Sequence, residues 1–286
     1  MKIALLGTGL MGQALVEHLL NENQQITVFN RSAEKTSKLL DLGANGATTA
    51  QDALKDSDFG ILMLSDANAI NEVLDQIAIE TFNDKVIIQM GTIAPEESRQ
   101  LAKRITESGG RYLECPVLGS LPEARTGTLI LMAAGSESDY QSALPLLQLI
   151  GKEPKYIGNT GQGATVKLAM NQLIAGLTSS FALSLALVEK EGIQTEQFME
   201  IVRDSALYAP TFDKKLDRML TRDFANPNFP TKHLAKDTKL FLKVANQLGL
   251  ETCALEGISR LLEISLSQGL ANTDYSALFS AVIEKQ

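Results

Sequence analysis

MKIALLGTGLMG, residues 1–12, opens the chain and decides how the first domain folds. An apolar run, Lys2–Leu6, leads directly into a GxGxxG pattern at Gly7–Gly12. Between a strand and a helix, the first glycine permits a tight turn, the second admits a pyrophosphate and the third allows close packing. The following helix would offer free N–H groups to an anion. This context favours a dinucleotide site over a plain glycine-rich turn. The predicted cofactor contacts in this turn are Gly7, Gly9, Leu10, Met11 and Gly12.

Apolar, strand-like runs then alternate with amphipathic stretches through the first half of the chain. The predicted strands are Lys2–Leu6, Gln25–Phe29, Phe59–Leu64, Lys85–Met90, Arg111–Glu114 and Leu129–Ala133. The predicted helices are Met11–Asn21, Ala33–Leu42, Asp66–Ile77, Pro95–Ser108 and Ser138–Leu149. Alternating strands and helices indicate βαβ units and a mainly parallel, doubly wound sheet.

The pattern becomes helical after Gly158. Ala164–Glu191 is long, strongly apolar and free of proline, so we expect a buried helix. Further helical spacing covers Thr195–Ser205, Pro210–Thr221, His233–Gly249, Leu255–Gly269 and Tyr275–Glu284. The predicted class is α/β: an N-terminal Rossmann-type doubly wound sheet, a long interdomain helix and an all-α C-terminal domain. The predicted boundaries are 1–160, 161–191 and 192–286.

Composition argues against several classes of protein. The chain has 26 Lys and Arg residues and 34 Asp and Glu residues, a net charge of −8. This composition does not predict the basic surface that binds the phosphates of a nucleic acid. Two cysteines and two histidines without a cluster predict neither a disulfide framework nor a metal site. We expect no membrane span, because no uninterrupted apolar run approaches the ~20 residues required. The apolar start is broken at Gly7 and does not resemble a signal peptide, so we expect a cytoplasmic protein.

The residues after the second predicted strand indicate which dinucleotide is bound. An enzyme that uses NAD usually has a carboxylate there for the ribose 2′-hydroxyl. This chain has Asn30, Arg31 and Ser32, with no acid before Glu34. Arg31 can pair with a 2′-phosphate, and its neighbours can add hydrogen bonds, although a solvated surface arginine is the alternative. The pattern favours NADP(H).

A second glycine-rich segment, Gly158–Gly163, leads into the long helix and precedes Lys167 and Asn171. These two residues are four apart and share one helix face. A lysine on an apolar helix either extends to solvent or is desolvated, which would lower its pKa toward that of a general acid or base. Periodicity alone leaves both interpretations open.

Four motifs in register now identify a resemblance. GxGxxG at Gly7–Gly12 is the first, and Glu114–Ser120 (ECPVLGS) is similar to a substrate motif that usually reads DAPVSGG. GxxGxGxxxKxxxN matches at Gly158–Asn171, and Lys-Asp occurs at Lys236-Asp237. The whole chain resembles the β-hydroxyacid dehydrogenase family, which includes 6-phosphogluconate and 3-hydroxyisobutyrate dehydrogenases. Asn30–Ser32, Ser65-Asp66, Phe229-Pro230 and Lys232–Asp237 are most similar to the NADPH-dependent glyoxylate and succinic semialdehyde reductases.

The resemblance implies a reductase of small aldehyde or keto acids that uses NADP(H), with the active site in a cleft between the two domains. Lys167 would be the general acid, and Asn171 would hold the substrate and orient Lys167. The implied cofactor contacts are Leu64, Ser65, Asp66, Thr92 and Lys236. The implied substrate contacts are Thr92, Leu118, Gly119, Ser120, Lys167, Asn171, Phe229 and Asp237. A homodimer or homotetramer is also implied.

One departure from the family pattern concerns the substrate. Leu118 replaces a serine that would donate to a substrate carboxylate, a loss of ~1.5–3 kcal/mol. Ser120 replaces a glycine and could restore one hydrogen bond. An NADP-linked 3-hydroxy acid dehydrogenase acting oxidatively and a dinucleotide-binding protein without turnover are the alternatives. Imine reductases share the architecture but usually lack the lysine, so Lys167 argues against them.

Overall fold

The computed structural model describes residues 1–283 and divides into two units. A largely parallel sheet forms the core of the first unit. This unit comprises Met1–Lys167. Its strands are β1 (Lys2–Leu6), β2 (Gln25–Phe29), β3 (Asn45–Gly46), β4 (Phe59–Leu62), β5 (Val86–Gln89), β6 (Arg111–Glu114), β7 (Val117–Leu118), β8 (Ile130–Gly135) and β9 (Lys155–Gly158). They lie in the order β3-β2-β1-β4-β5-β6-β8-β7, with β9 beside β8.

The strands from β3 to β6 are all parallel and have the doubly wound order 3-2-1-4-5-6. β8 runs antiparallel to β6 and β7, and β9 runs parallel to β8. Because the six parallel strands point the same way, the loops that follow them meet at one edge of the sheet. Ligands bind at this edge in doubly wound folds.

Helices cover both faces of this sheet. They are α1 (Leu10–Asn21), α2 (Ser37–Asp41), α3 (Ala50–Lys55), α4 (Ala67–Leu74), α5 (Pro95–Glu107), α6 (Leu121–Arg125) and α7 (Glu137–Ile150). Successive strand side chains point to opposite faces, so Ile3 and Leu5 pack with α1 and α7. Ala4 and Leu6 pack with α3, α4 and α5. The unbroken apolar strands of the sequence are therefore buried on both sides.

The second unit begins at Leu168 and is helical in its described residues. The helix α8 (Gln162–Lys190) starts within the first unit, and α9 (Thr195–Asp204), α10 (Pro210–Thr221), α11 (Thr231–Gln247), α12 (Cys253–Ser267) and α13 (Leu278–Ile283) follow. Phe181 stacks on Phe212 at 4.7 Å between ring centroids. Lys215 and Asp274 form a buried ion pair, with Nζ 2.8 and 2.9 Å from the two carboxylate oxygens.

The predicted fold class is confirmed, with corrections at particular elements. All six predicted strands are present to within two residues at each end, whereas the short β3, β7, β9, α3 and α6 were not predicted. The predicted helix Ala33–Leu42 is a 3₁₀ turn, Ala33–Lys35, followed by α2. Likewise, a 3₁₀ turn at Tyr275–Ala277 precedes α13, and Glu284 of that prediction lies outside the described residues.

The long helix α8 is apolar enough to be tested as a membrane span, although its apolar run is interrupted. By length and composition α8 would qualify, with a mean hydropathy of 1.4 over its most apolar 18 residues. Half of that window is buried within the protein. A core helix passes the same test, so the criterion alone is weak support for a span.

Candidate active site

The turn between β1 and α1 has the geometry that a bound dinucleotide requires. Gly7 adopts φ +108°, and a Cβ there would lie 2.4 Å from the Met63 carbonyl oxygen. A Cβ on Gly12 would lie 2.1 Å from the carbonyl oxygen of Gly7, so that position admits no side chain. By contrast, a Cβ on Gly9 would meet no atom of residues 1–283 within 4 Å. The turn is closed at its first and third glycines and open at the second, where a pyrophosphate could approach.

Two polar features of this turn also fit a dinucleotide. Within the described part of the chain no side chain caps α1, which leaves its N-terminal N–H groups available to an anion. The Oγ1 atom of Thr8 is buried and has no hydrogen-bond partner among residues 1–283. Leu10 is exposed at the start of α1, and Met11 is half-buried behind it. Gly7–Gly12 would therefore hold the pyrophosphate of a nicotinamide dinucleotide.

The end of β2 lies beside this turn. The Asn30 Oδ1 atom accepts from the Thr8 backbone N–H at 3.0 Å, and its Nδ2 donates to the Ser32 carbonyl at 3.0 Å. Asn30 thus fixes the glycine turn, a function that the sequence did not indicate. Arg31 is exposed and its Nη1 lies 3.2 Å from Glu72 Oε2 of α4. Glu72 therefore faces Arg31, the residue predicted to bind the 2′-phosphate. Nothing in the sequence indicated this contact.

The loops after β4 and β5 complete this edge. Asp66 caps α4 by accepting from the Ala69 N–H at 2.9 Å, and Ser65 donates to the second oxygen of Asp66 at 2.7 Å. The Leu64 carbonyl oxygen lies so close to Gly91 that a Cβ there would be 2.4 Å away. Thr92, the next residue, is half-buried. The predicted cofactor residues from four separate loops are therefore brought to one edge of the sheet.

The predicted substrate loop, Leu118–Ser120, links β7 to α6. Leu118 is half-buried and supplies no side-chain donor. The Ser120 hydroxyl donates to Glu123 Oε2 at 2.7 Å, and its backbone N–H donates to the same oxygen at 2.7 Å. This capping box uses the single hydroxyl proton of Ser120. Ser120 does not offer that proton to a substrate carboxylate in this conformation.

The second glycine-rich segment closes on a carboxylate from β6. Glu114 Oε1 accepts backbone N–H groups from Gly161 and Gly163 at 2.8 Å each and from Ala164 at 3.2 Å. Its other oxygen accepts from the Ser98 hydroxyl. Burial raises the pKa of Glu114, and these hydrogen bonds oppose that shift. Nothing in the sequence pattern indicated that Glu114 caps the start of α8.

The long helix α8 carries Lys167 and, one turn later, Asn171. Lys167 is half-buried, whereas Asn171 is 2% exposed. Asn171 Nδ2 donates to Asp237 Oδ2 at 2.7 Å, and Lys236 Nζ lies 2.8 Å from the other oxygen of Asp237. Three predicted site residues of the helical unit, Asn171, Lys236 and Asp237, are thus brought into contact.

Asn171 keeps one buried atom available. Its Oδ1 has no hydrogen-bond partner within the described part of the chain. Because the amide donates to Asp237, its orientation is fixed with Oδ1 as the remaining acceptor. A buried oxygen without a donor is costly, so a substrate hydroxyl or an ammonium group would be stabilised there.

Phe229 lies just before α11 in the same unit. Its ring is parallel to that of His233, with centroids 6.4 Å apart, and meets Tyr275 edge-on at 5.7 Å. Burial, and then the charges of Lys236 and Lys232, lower the pKa of His233. We therefore expect a neutral imidazole beside the Phe229 ring at pH 7.

Comparisons with known proteins agree with this geometry. Residues 2–159 match the family described as the NAD binding domain of 6-phosphogluconate dehydrogenase. Residues 161–282 match the one described as "NAD-binding of NADP-dependent 3-hydroxyisobutyrate dehydrogenase". Glyoxylate/succinic semialdehyde reductase 1 of Arabidopsis thaliana is 31% identical over 99% of this chain and 98% of its own. The chain belongs to the β-hydroxyacid dehydrogenase family. It is an oxidoreductase of that family with a nicotinamide dinucleotide cofactor.

Other members extend the comparison. The 2-hydroxy-3-oxopropionate reductase of Escherichia coli is 30% identical over 99% of this chain and 97% of its own. A 3-hydroxyisobutyrate dehydrogenase structure from Salmonella typhimurium has a TM-score of 0.87 and 22% identity, covering 97% of this chain and 98% of its own. That structure establishes the shared fold. The family's members named here act on small hydroxy acids or aldehydes.

Proposed function

We propose that this family member is an NADPH-dependent reductase of small aldehyde or keto acids, of the glyoxylate and succinic semialdehyde type. The observation that carries the proposal is the Asn171 amide, which Asp237 orients so that a buried, unpartnered Oδ1 lies one helical turn from Lys167. Lys167 is the general acid, and Asn171 Oδ1 accepts a hydrogen bond from the hydroxyl once the substrate oxygen has been protonated. The Arabidopsis relative named as a reductase for these substrates supports the assignment.

When bound, the reduced nicotinamide supplies a hydride to the carbonyl carbon. As negative charge develops on the carbonyl oxygen, Lys167 donates a proton to it, which gives the alcohol. The new hydroxyl can then donate to Asn171 Oδ1, satisfying that buried acceptor. Phe229 excludes water on its side of the substrate. Gly7–Gly12 orient the pyrophosphate through backbone N–H groups, and Thr92 and Lys236 are proposed to complete the contacts to the cofactor.

The preference for NADPH rests on Arg31. The 2′-phosphate presents a dianion that a guanidinium can bind through two parallel hydrogen bonds. No Asp or Glu occupies Asn30–Ser32, and Asn30 is used to hold the glycine turn. An NADH-specific site would place a carboxylate where this chain has an arginine.

The first test is substrate-dependent oxidation of NADPH, followed by its absorbance, with glyoxylate, succinic semialdehyde, methylglyoxal and larger aldehydes. NADH is assayed in parallel. K167A should lose most of the rate while its NADPH affinity stays unchanged, because the lysine acts on the substrate oxygen. K190A is the matched control, since it removes an exposed lysine from the far end of the same helix. A K167A enzyme with the wild-type rate would refute the general-acid role.

Leu118 and Ser120 define a second test, of substrate charge. Leu118 has no donor, and Ser120 gives its proton to Glu123. Restoring the donor with L118S should raise kcat/KM for glyoxylate relative to methylglyoxal, which lacks a carboxylate. A charge-assisted hydrogen bond of ~1.5–3 kcal/mol corresponds to roughly 10- to 150-fold. An equal change for both substrates would mean that Leu118 does not face the carboxylate.

The oxidative alternative uses the same residues in reverse. The family that residues 161–282 match is named after an NADP-dependent 3-hydroxyisobutyrate dehydrogenase, which favours an NADP-linked 3-hydroxy acid as substrate. Lys167 would then be the base that removes the hydroxyl proton. Assaying both directions across pH separates the two, because a base must be deprotonated and an acid protonated at the start of the reaction.

A further inference from the structure

We propose that Glu114 is a positioning residue for Lys167, because its carboxylate fixes the first turn of α8 to the end of β6. The inference rests on the proposed role of Lys167. Glu114 touches neither substrate nor cofactor in this assignment and acts through the backbone of the helix that carries the lysine.

The contacts of Glu114 are buried and directional. The residue is 1% exposed, and one oxygen receives the three N–H groups of Gly161, Gly163 and Ala164. Ser98 of α5 donates to the other oxygen, and Tyr112 shares a 2.8 Å hydrogen bond with that serine. Four donors on two oxygens leave the side chain one orientation, since rotation would break several hydrogen bonds away from water.

The glycine spacing before α8 serves these contacts. Gly161 adopts φ +98°, a conformation that other residues rarely occupy. A Cβ on Gly163 would lie 2.5 Å from the Met132 carbonyl oxygen and 3.1 Å from Glu114 Oε1. Glycine at these positions lets the backbone N–H groups reach the carboxylate. This segment therefore binds an acid of its own chain and is not a second phosphate loop.

The position of Lys167 follows from that attachment. Lys167 is the fourth residue after Gly163, a rise of about 6 Å along the helix. Glu114 also ends β6 and is the first residue of the substrate motif, Glu114–Ser120. One side chain thus sets the start of the catalytic helix against the loop that is proposed to hold the substrate. A shift of about 1 Å between reacting groups can reduce turnover by about 100-fold.

Three substitutions at this position distinguish positioning from general stability. E114A removes the acceptor, whereas E114Q keeps a carbonyl oxygen at the same distance from the three N–H groups. E114D retains the charge but withdraws it by one methylene. The matched control is E97A, because Glu97 accepts the Ala94 N–H at 2.8 Å at the start of α5 and has no part in the site.

Kinetics give the first measurement. We expect E114A to lower kcat by about 100-fold while the Kd for NADPH changes less than about threefold. The kcat of E114Q should be at least tenfold higher than that of E114A, and the kcat of E114D should lie below that of E114Q. E97A should keep its kcat even where its melting temperature falls. If E114A does not fold, E114Q and E114D are compared with wild type, and E114D must show the lower kcat.

Hydrogen exchange gives a measurement that needs no substrate. The amides of Gly161, Gly163 and Ala164 should be protected in wild type and E114Q and should exchange faster in E114A or E114D. The proposal is overturned if these amides exchange equally in all variants, or if E114A lowers kcat no more than E97A. It is also overturned if NADPH affinity falls in parallel with kcat.

The failure of the two proposals is distinguishable. If K167A retains the wild-type rate, the role of Lys167 is refuted and positioning of that residue is refuted with it. If K167A is inactive but E114A turns over like E97A, the function stands and only the inference about Glu114 is wrong.

Discussion

Replacing Arg31 should reduce the preference for NADPH over NADH. The size of the loss depends on the ion pair that Arg31 makes with Glu72 before the cofactor binds. Charge-assisted hydrogen bonds to a phosphate contribute ~1.5–3 kcal/mol. Before binding, Arg31 pairs with Glu72 at 3.2 Å, with 88% and 62% of the two side chains exposed. Such a pair is worth about 0.5 kcal/mol, which is lost when the arginine turns to the phosphate. The net contribution is then about 1–2.5 kcal/mol, so R31A should weaken NADPH binding roughly 5- to 70-fold.

Glu72 gives the matched experiment in the opposite direction. E72Q removes the competing carboxylate and should strengthen NADPH binding by about twofold, the equivalent of 0.5 kcal/mol. The gain should shrink as ionic strength rises, since exposed charges are screened. In the R31A background, E72Q should have no effect, because the charge with which it competes is absent.

The assay is fluorescence titration of each variant with NADPH and with NADH. NADH lacks the 2′-phosphate, so its Kd should change less than about twofold in R31A and E72Q. Equal weakening of both cofactors by R31A would show that Arg31 acts on the adenine or on the fold. Unchanged NADPH affinity would show that it is a solvated surface residue.

Three further predictions concern the glycine turn, the helical core and acid stability. G12A should lower the melting temperature, because its Cβ would make a clash worth ~1–3 kcal/mol. G9A should leave the melting temperature unchanged but weaken dinucleotide binding. Thermal unfolding of each variant with and without NADPH measures both effects. K215M should cost ~3–5 kcal/mol in urea unfolding because it leaves Asp274 charged and buried, and K215M/D274L should recover part of it. Burial and nearby lysines lower the pKa of His233 below its usual 6.5, so the stability that it contributes is present above pH 6.5 and is lost as pH falls through the folded pKa. Thermal unfolding between pH 7 and pH 5 should therefore show a weaker acid dependence in H233Q than in wild type.

The fold was largely predictable because its longest elements have strong periodic signals. β1 and β2 begin and end at the predicted residues, since each is an apolar run followed by a turn. β3 and β7 span two residues each, too short for any periodicity to develop. Their pairing depends on neighbouring strands distant in the sequence, which a local pattern does not contain.

The candidate site was predictable where a motif includes its own geometry. The roles of Gly7 and Gly12 follow from the strand–turn–helix context, and the structure agrees through the contacts that a Cβ would make. Contacts between remote residues were not predictable. Glu72 lies 41 residues after Arg31 and faces it, and Asp237 lies 66 residues after Asn171 and orients it. Spacing within a helix carries no information about such partners.

The two glycine-rich segments show how similar sequences acquire different functions. Each follows a strand and opens a helix, and the residue type alone does not separate them. Beside Gly9 there is open space at an uncapped helix, so an external anion can reach the backbone N–H groups. At Gly163 the equivalent N–H groups are already bound to Glu114. An anion-binding turn therefore requires free N–H donors as well as glycines. The second glycine-rich turn has no such free donors at Gly163, because its N–H groups bind Glu114 and so anchor the start of α8.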